Sequence, residues 1–120
     1  MKFLLLNLAL SVSLACSVAA VFASAPGEDA SAGYRLYNSQ DYRGAIKVLS
    51  GAVKGASAGD ARAHLYLGNA WMKLGKPDYA RYYYTRALSL KPTEQMTTYL
   101  KLALDKSLAA SSAANAAAST

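Results

Sequence analysis

Few residues in this 120-residue chain are equipped to make or break bonds. There is one histidine, His64, one cysteine, Cys16, and 7 Asp and Glu scattered along the sequence. Metal ligation needs several His, Cys or acidic side chains at short spacing, and no such cluster occurs. General acid–base or nucleophilic catalysis needs a base held beside a reacting group, and the lone His64 reads as a partly buried structural residue instead. No Gly-rich loop follows a strand, so no phosphate cradle is expected. The chain reads as a non-enzyme without cofactor or metal, and its function is to be sought on a surface.

The elements that would build that surface are helices. Gly33, Ala45 and Ala52 recur as Gly68, Ala80 and Ala87, each pair 35 residues apart, so two copies of one unit stand in tandem. Apolar spacing predicts helices over 29–38 and 41–54 in the first copy, and over 61–74 and 78–90 in the second. Ser39-Gln40 and Gly75-Lys76-Pro77 break the two hairpins, and 55–59, a Gly/Ala/Ser run, reads as a flexible connector. Asp60 is a plausible N-cap, and Pro77 suits a first helical turn, where no donor is needed. Lys91-Pro92 ends the fourth helix. Thr93 can cap a fifth over 94–108, with Leu100, Ala103, Leu104 and Leu108 as its apolar side. The Ala/Ser tail, 109–120, offers no large apolar face, so disorder is expected there.

The two ends and the charge frame the setting. Lys2, an apolar run over 3–14 and small residues up to Ala25 form an export signal over 1–23, followed by a linker over 24–28. Two alternatives stand beside cleavage: retention of the apolar stretch as a membrane anchor, and lipidation at Cys16, whose preceding box has Ser13 where an aliphatic belongs. Removal of the leader would take away Cys16, Phe3 and Phe22, leaving no disulfide and only Tyr and Trp71 as aromatics. Against those 7 acids stand 13 Lys and Arg, a net charge of +6 that favours acidic partners or anionic envelope surfaces. The bases are dispersed, and export argues against nucleic acid as a partner.

The second copy carries the intervals of a known pattern: His64, Leu67-Gly68, Trp71, Ala80, Tyr84, Ala87 and Pro92. It resembles the tetratricopeptide-repeat family, with only His64 departing from the expected aromatic. The first copy matches more weakly, as Asp29, Ala32-Gly33, Leu36, Ala45, Leu49 and Ala52, with Ser57 in place of the closing proline. The resemblance implies an all-α fold: two antiparallel helix hairpins stacked as a short right-handed α-solenoid, spanning 29–108, with repeats over 29–57 and 61–92 and a capping helix. Gly33, Ala45, Ala52, His64, Leu67, Gly68, Trp71, Ala80, Tyr84, Ala87 and Pro92 are then scaffold positions. Two repeats are few for such an array, which keeps a homo-oligomer open.

Members of this family bind peptides in a groove lined by the first helix of each repeat. At 100° per residue, His64, Leu67, Gly68 and Trp71 fall on one side of 61–74, and Arg62, Tyr66, Asn69 and Lys73 on the other. The latter four resemble groove residues. Their first-copy equivalents are Gly27, Ser31, Tyr34 and Asn38, with Tyr37 alongside. Such a groove could bond an extended peptide backbone and attract acidic groups. The clamp that some members use on chaperone tails is missing, since its positions hold Ala30, Tyr34, Tyr66, Met96 and Leu100. Tyr82-Tyr83-Tyr84 is read as packing for Tyr84, with Tyr82 and Tyr83 pointing elsewhere beside Arg81 and Arg86. These readings make the chain an exported adaptor for a protein or peptide partner. Self-association and binding of anionic envelope polymers are the alternatives.

Overall fold

In the computed structural model, which describes residues 30–119, the apolar runs fold into helices, three of which begin on a polar side-chain cap. Five helices result: α1 (Ser31–Asn38), α2 (Tyr42–Ala52), α3 (Ala61–Lys73), α4 (Pro77–Ser89) and α5 (Glu94–Ala118). They hold 78% of the described residues, with no strand among them. The expected leader at 1–23, the linker at 24–28, Cys16, Gly27 and Asp29 lie outside the described residues.

Each capping carboxylate or hydroxyl replaces a partner that the first helical turn lacks. Asp41 accepts from the Gly44 N–H at 3.0 Å, Asp60 from Arg62 at 2.9 Å and Thr93 from Met96 at 3.3 Å. Helix α4 starts without a side-chain cap, on Pro77. Both hairpins turn by the same device. The Asp41 N–H returns to the Leu36 carbonyl and the Gln40 N–H to Tyr37; 35 residues later Lys76 returns to Trp71 and Gly75 to Met72. This paired bonding closes a helix through a left-handed residue. Gln40 (φ 66°) and Gly75 (φ 72°) occupy that position.

Packing follows the small residues. Each helix lies against the next in sequence, and α1 also reaches α3. Two hairpins are thus stacked, with α5 closing the second. Ala45, Ala52, Ala63, Ala70, Ala80 and Ala87 are completely buried, which brings backbones close together. The two glycines of the repeat each receive a large side chain from the facing helix. A Cβ at Gly33 would land inside the Leu49 isobutyl group, and one at Gly68 inside the Tyr84 ring. Leu49 and Tyr84 are themselves 35 residues apart, so the same knob enters the same hole twice.

Three expectations need correction. Helix α5 does not fade at residue 109; it continues to Ala118, because Ala is the strongest helix former and a helix already started extends at little cost. Ser111 also ties it back, donating to Asp78 Oδ1 at 2.7 Å. The buried seam of α5 runs through Leu100, Ala103 and Ser107, whereas Leu108 is half exposed. Ser107 is tolerated there because its hydroxyl donates to the Leu104 carbonyl at 2.7 Å. Finally, the 55–59 connector is no loose tether: Gly55 and Ser57 donate to the Ala52 carbonyl, Ala58 to Gly55 and Asp60 to Ser57. Among the described residues no helix is long and apolar enough to cross a membrane.

Candidate functional site

Helices α1 and α3 lie side by side, and the residues they bring together are aromatic. The Tyr34 and Tyr66 ring centroids are 4.6 Å apart, Tyr37 meets Tyr66 edge-on at 5.1 Å, and Tyr42 meets Tyr37 at 5.3 Å. Tilted and edge-on contacts suit rings whose faces are negative and whose edges are positive. The Arg62 guanidinium sits 4.5 Å above the Tyr34 ring, adding a cation–π contact. The Tyr34 hydroxyl donates to Asp60 Oδ2 at 3.0 Å. One aspartate therefore caps α3 and anchors a tyrosine of the other repeat. Burial raises the Tyr34 phenol above its ordinary value, with Asp60 adding to the rise and Arg62 opposing it. Tyr37 is also raised, chiefly by burial.

Beyond Tyr37 the strip opens into a cleft of about 440 Å³. Helix α3 contributes Asn69, Met72 and Lys73, α5 contributes Tyr99, Leu102, Ala103 and Lys106, and Tyr84 of α4 reaches it from the core. The Tyr84 ring is buried, but its hydroxyl donates to Asn69 Oδ1 at 2.7 Å. Burial holds that phenol well above its ordinary value, with the nearby Tyr99 and Tyr37 adding to the rise. A packing residue thus fixes the orientation of a cleft residue.

Of the residues singled out from the sequence, Tyr37, Asn69 and Lys73 line this cleft. Tyr34, Arg62 and Tyr66 form the adjoining aromatic strip. Asn38 is exposed at the end of α1 and lines none of the cleft. The contribution of α5 was missed. Tyr99, Leu102 and Lys106 follow i, i+3, i+7 spacing on a stripe beside the buried Leu100, Ala103 and Ser107, a second periodicity that the sequence does contain. Leu100, a position matched to the clamp pattern, is fully buried and unable to touch a ligand.

The other notable side chains, Tyr84 apart, lie away from the cleft. His64 is 4% exposed, and its Nε2–H donates to the Ala58 carbonyl at 3.1 Å, fastening the connector to α3. Tyr79 stacks on Trp71 at 4.6 Å, and Pro92 is half-buried just after α4. The three consecutive tyrosines divide: Tyr84 is buried, Tyr83 packs on the core cluster that joins the first hairpin to α3, and Tyr82 is exposed, edge-on to Tyr83. Among the described residues no group of His, Cys, Asp and Glu could hold a metal ion.

The fold is a stack of helical hairpins with an open cleft on one side. Residues 61–94, which form α3, α4 and the turn after them, match the tetratricopeptide-repeat family. Such repeats are a non-catalytic fold that generally binds protein partners. No curated protein and no solved structure matches the chain.

Proposed function

We propose that this chain is an exported adaptor that holds a peptide segment of a partner protein in the cleft between α3 and α5. The observation that carries this reading is the cleft itself, about 440 Å³, where Tyr37, Asn69 and Lys73 meet a stripe from the last helix. Tyrosine and asparagine there can bond a peptide backbone, while Met72 and Leu102 offer apolar contact. Export rests on the apolar run behind Lys2. Affinity capture from an envelope fraction, followed by mass spectrometry, tests the adaptor role. A specific partner retained by the wild type should be lost when Tyr66, Asn69 and Lys73 are all changed to Ala in a chain that keeps its helical spectrum. Unchanged capture would remove the cleft from the proposal. N-terminal sequencing of the exported product tests the leader.

A second reading, self-association, is favoured by the exposure of Tyr79 (56%) and Tyr82 (61%) on α4. A monomer whose sedimentation is independent of concentration would count against it.

A further inference from the structure

We infer that a second copy of this chain docks on the outer face of α4, forming a two-fold dimer centred on Tyr82, an inference that rests on the self-association reading above. At 100° per residue, Ala80, Tyr84 and Ala87 point into the core, and Tyr82 lies on the opposite side of the helix. Asp78 and Arg86, one turn before and one turn after, fall within about 40° of it, with Tyr79 and Thr85 about 60° to either side. All five are exposed. Shallow hollows of about 430 and 320 Å³ flank Tyr82, one beside Tyr79 and Tyr83 and the other beside Arg81 and Thr85. The ring therefore stands as a ridge between two places where a facing ring could settle.

The charges choose the occupant. In an isologous pair a surface meets itself, and antiparallel helices related by a two-fold axis at Tyr82 set the residue one turn before it against the residue one turn after. Asp78 of each copy then faces Arg86 of the other, and the two Tyr82 rings meet at the axis, each burying its face while its hydroxyl stays wet. Asp78 is free to do this. Its side chain is 72% exposed, and its contacts with Ser111 and, at 3.6 Å, with Arg81 both use Oδ1, which leaves Oδ2 to accept. Among the described residues Arg86 has no carboxylate partner. The other repeat shows that the scaffold does not require this pattern. At the positions of Asp78, Tyr79, Tyr82 and Arg86, α2 carries Arg43, Gly44, Lys47 and Gly51, and the same pairing there would press lysine on lysine. A single 13-residue helix face falls short of the ~1,200 Å² of a standard interface, so the dimer is weak and concentration-dependent. Tyr84, which reaches the cleft, lies on the side of α4 away from Tyr82, so both clefts stay open and the dimer is bivalent.

The test is sedimentation equilibrium of the full chain up to ~1 mM, where weak dimers are populated, in a mild detergent that masks the apolar run over 3–14. The wild type should show a monomer–dimer equilibrium. Asp78→Arg and Arg86→Asp, each alone, set like charges together at both ends of the interface and should weaken it about tenfold or more. Mixed in equal amounts, the two variants should pair with each other, because each new charge then faces its opposite; capture of one by a tag on the other reads this. A chain carrying both changes should regain self-association. Tyr82→Ser should weaken the dimer, whereas Lys73→Ala in the cleft should leave it unchanged. These are exposed side chains, and circular dichroism checks that each variant remains folded. A wild type that stays monomeric throughout would overturn this inference and the self-association reading together. Association indifferent to Tyr82→Ser and to both reversals would overturn the α4 interface while upholding self-association through another surface. Reversals that weaken association without rescue in the mixture would overturn the two-fold pairing. A monomeric wild type that captures a different protein through Tyr82 would assign the face to that protein instead.

Discussion

At the scale of single residues, the repeat is a matter of which atoms are missing. Gly33 and Gly68 are holes for Leu49 and Tyr84, and their lack of a Cβ is what allows the hairpins to close. Gly68→Ala should destabilise by about 1–3 kcal/mol, because the added carbon meets a ring that is both buried and hydrogen-bonded to Asn69. Gly33→Ala should fall in the same range against Leu49. Gly55→Ala and Gly59→Ala meet no atom within 4 Å and should change stability by no more than about 0.5 kcal/mol. Urea midpoints of the four variants give the comparison. Equal effects at Gly55 and Gly68 would contradict the hole-filling account.

At the scale of elements, the two copies reach the same shape through different chemistry. Both first helices end on a left-handed residue, but one copy uses Gly75 and the other Gln40. A side chain in that conformation costs about 1–2 kcal/mol, and a glycine avoids it. Gln40→Gly should therefore stabilise the protein by about 0.5 kcal/mol, less than the full strain because glycine also loosens the unfolded chain. Gly75→Ala should destabilise by about 1 kcal/mol through backbone strain alone, since open space surrounds its Cβ. Thermal or urea denaturation should show opposite signs; the same sign for both would reject the shared-turn reading. The second helices differ likewise: Asp41 caps α2, whereas α4 relies on Pro77.

At the scale of the whole molecule, tyrosine links packing, cleft and pH response. Tyr84, Tyr34 and Tyr37 all have phenols raised above the ordinary value of 10.0, each chiefly by burial. The folded state thus keeps protons that the unfolded chain releases near pH 10. Their contribution to stability is complete below that pH and is lost as pH rises above it. The urea midpoint should fall steadily as pH rises above about 10. Tyr84→Phe should flatten that fall while lowering stability near neutrality by about 0.5–1.5 kcal/mol, the worth of its bond to Asn69. An unchanged alkaline slope in the variant would show that Tyr84 does not carry it.

Much of the scaffold was legible because its signals are local. The Gly and Ala recurrence shows as a fixed 35-residue interval, and the caps at Asp60 and Thr93 and the proline opening α4 each depend on residues a turn or so apart in sequence. The cleft was legible only in half. Tyr37, Asn69 and Lys73 follow from the side of a helix on which they lie, but Tyr99, Leu102 and Lys106 became cleft residues only when α5 packed on α4 through Leu100, Ala103 and Ser107. Helical periodicity offered two neighbouring stripes there, and nothing local chose between them. So the sequence alone determined an all-helical pair of repeats and the residue types on each face. The tertiary structure decided which faces meet, because that choice depends on how side chains from distant helices fill one another's gaps.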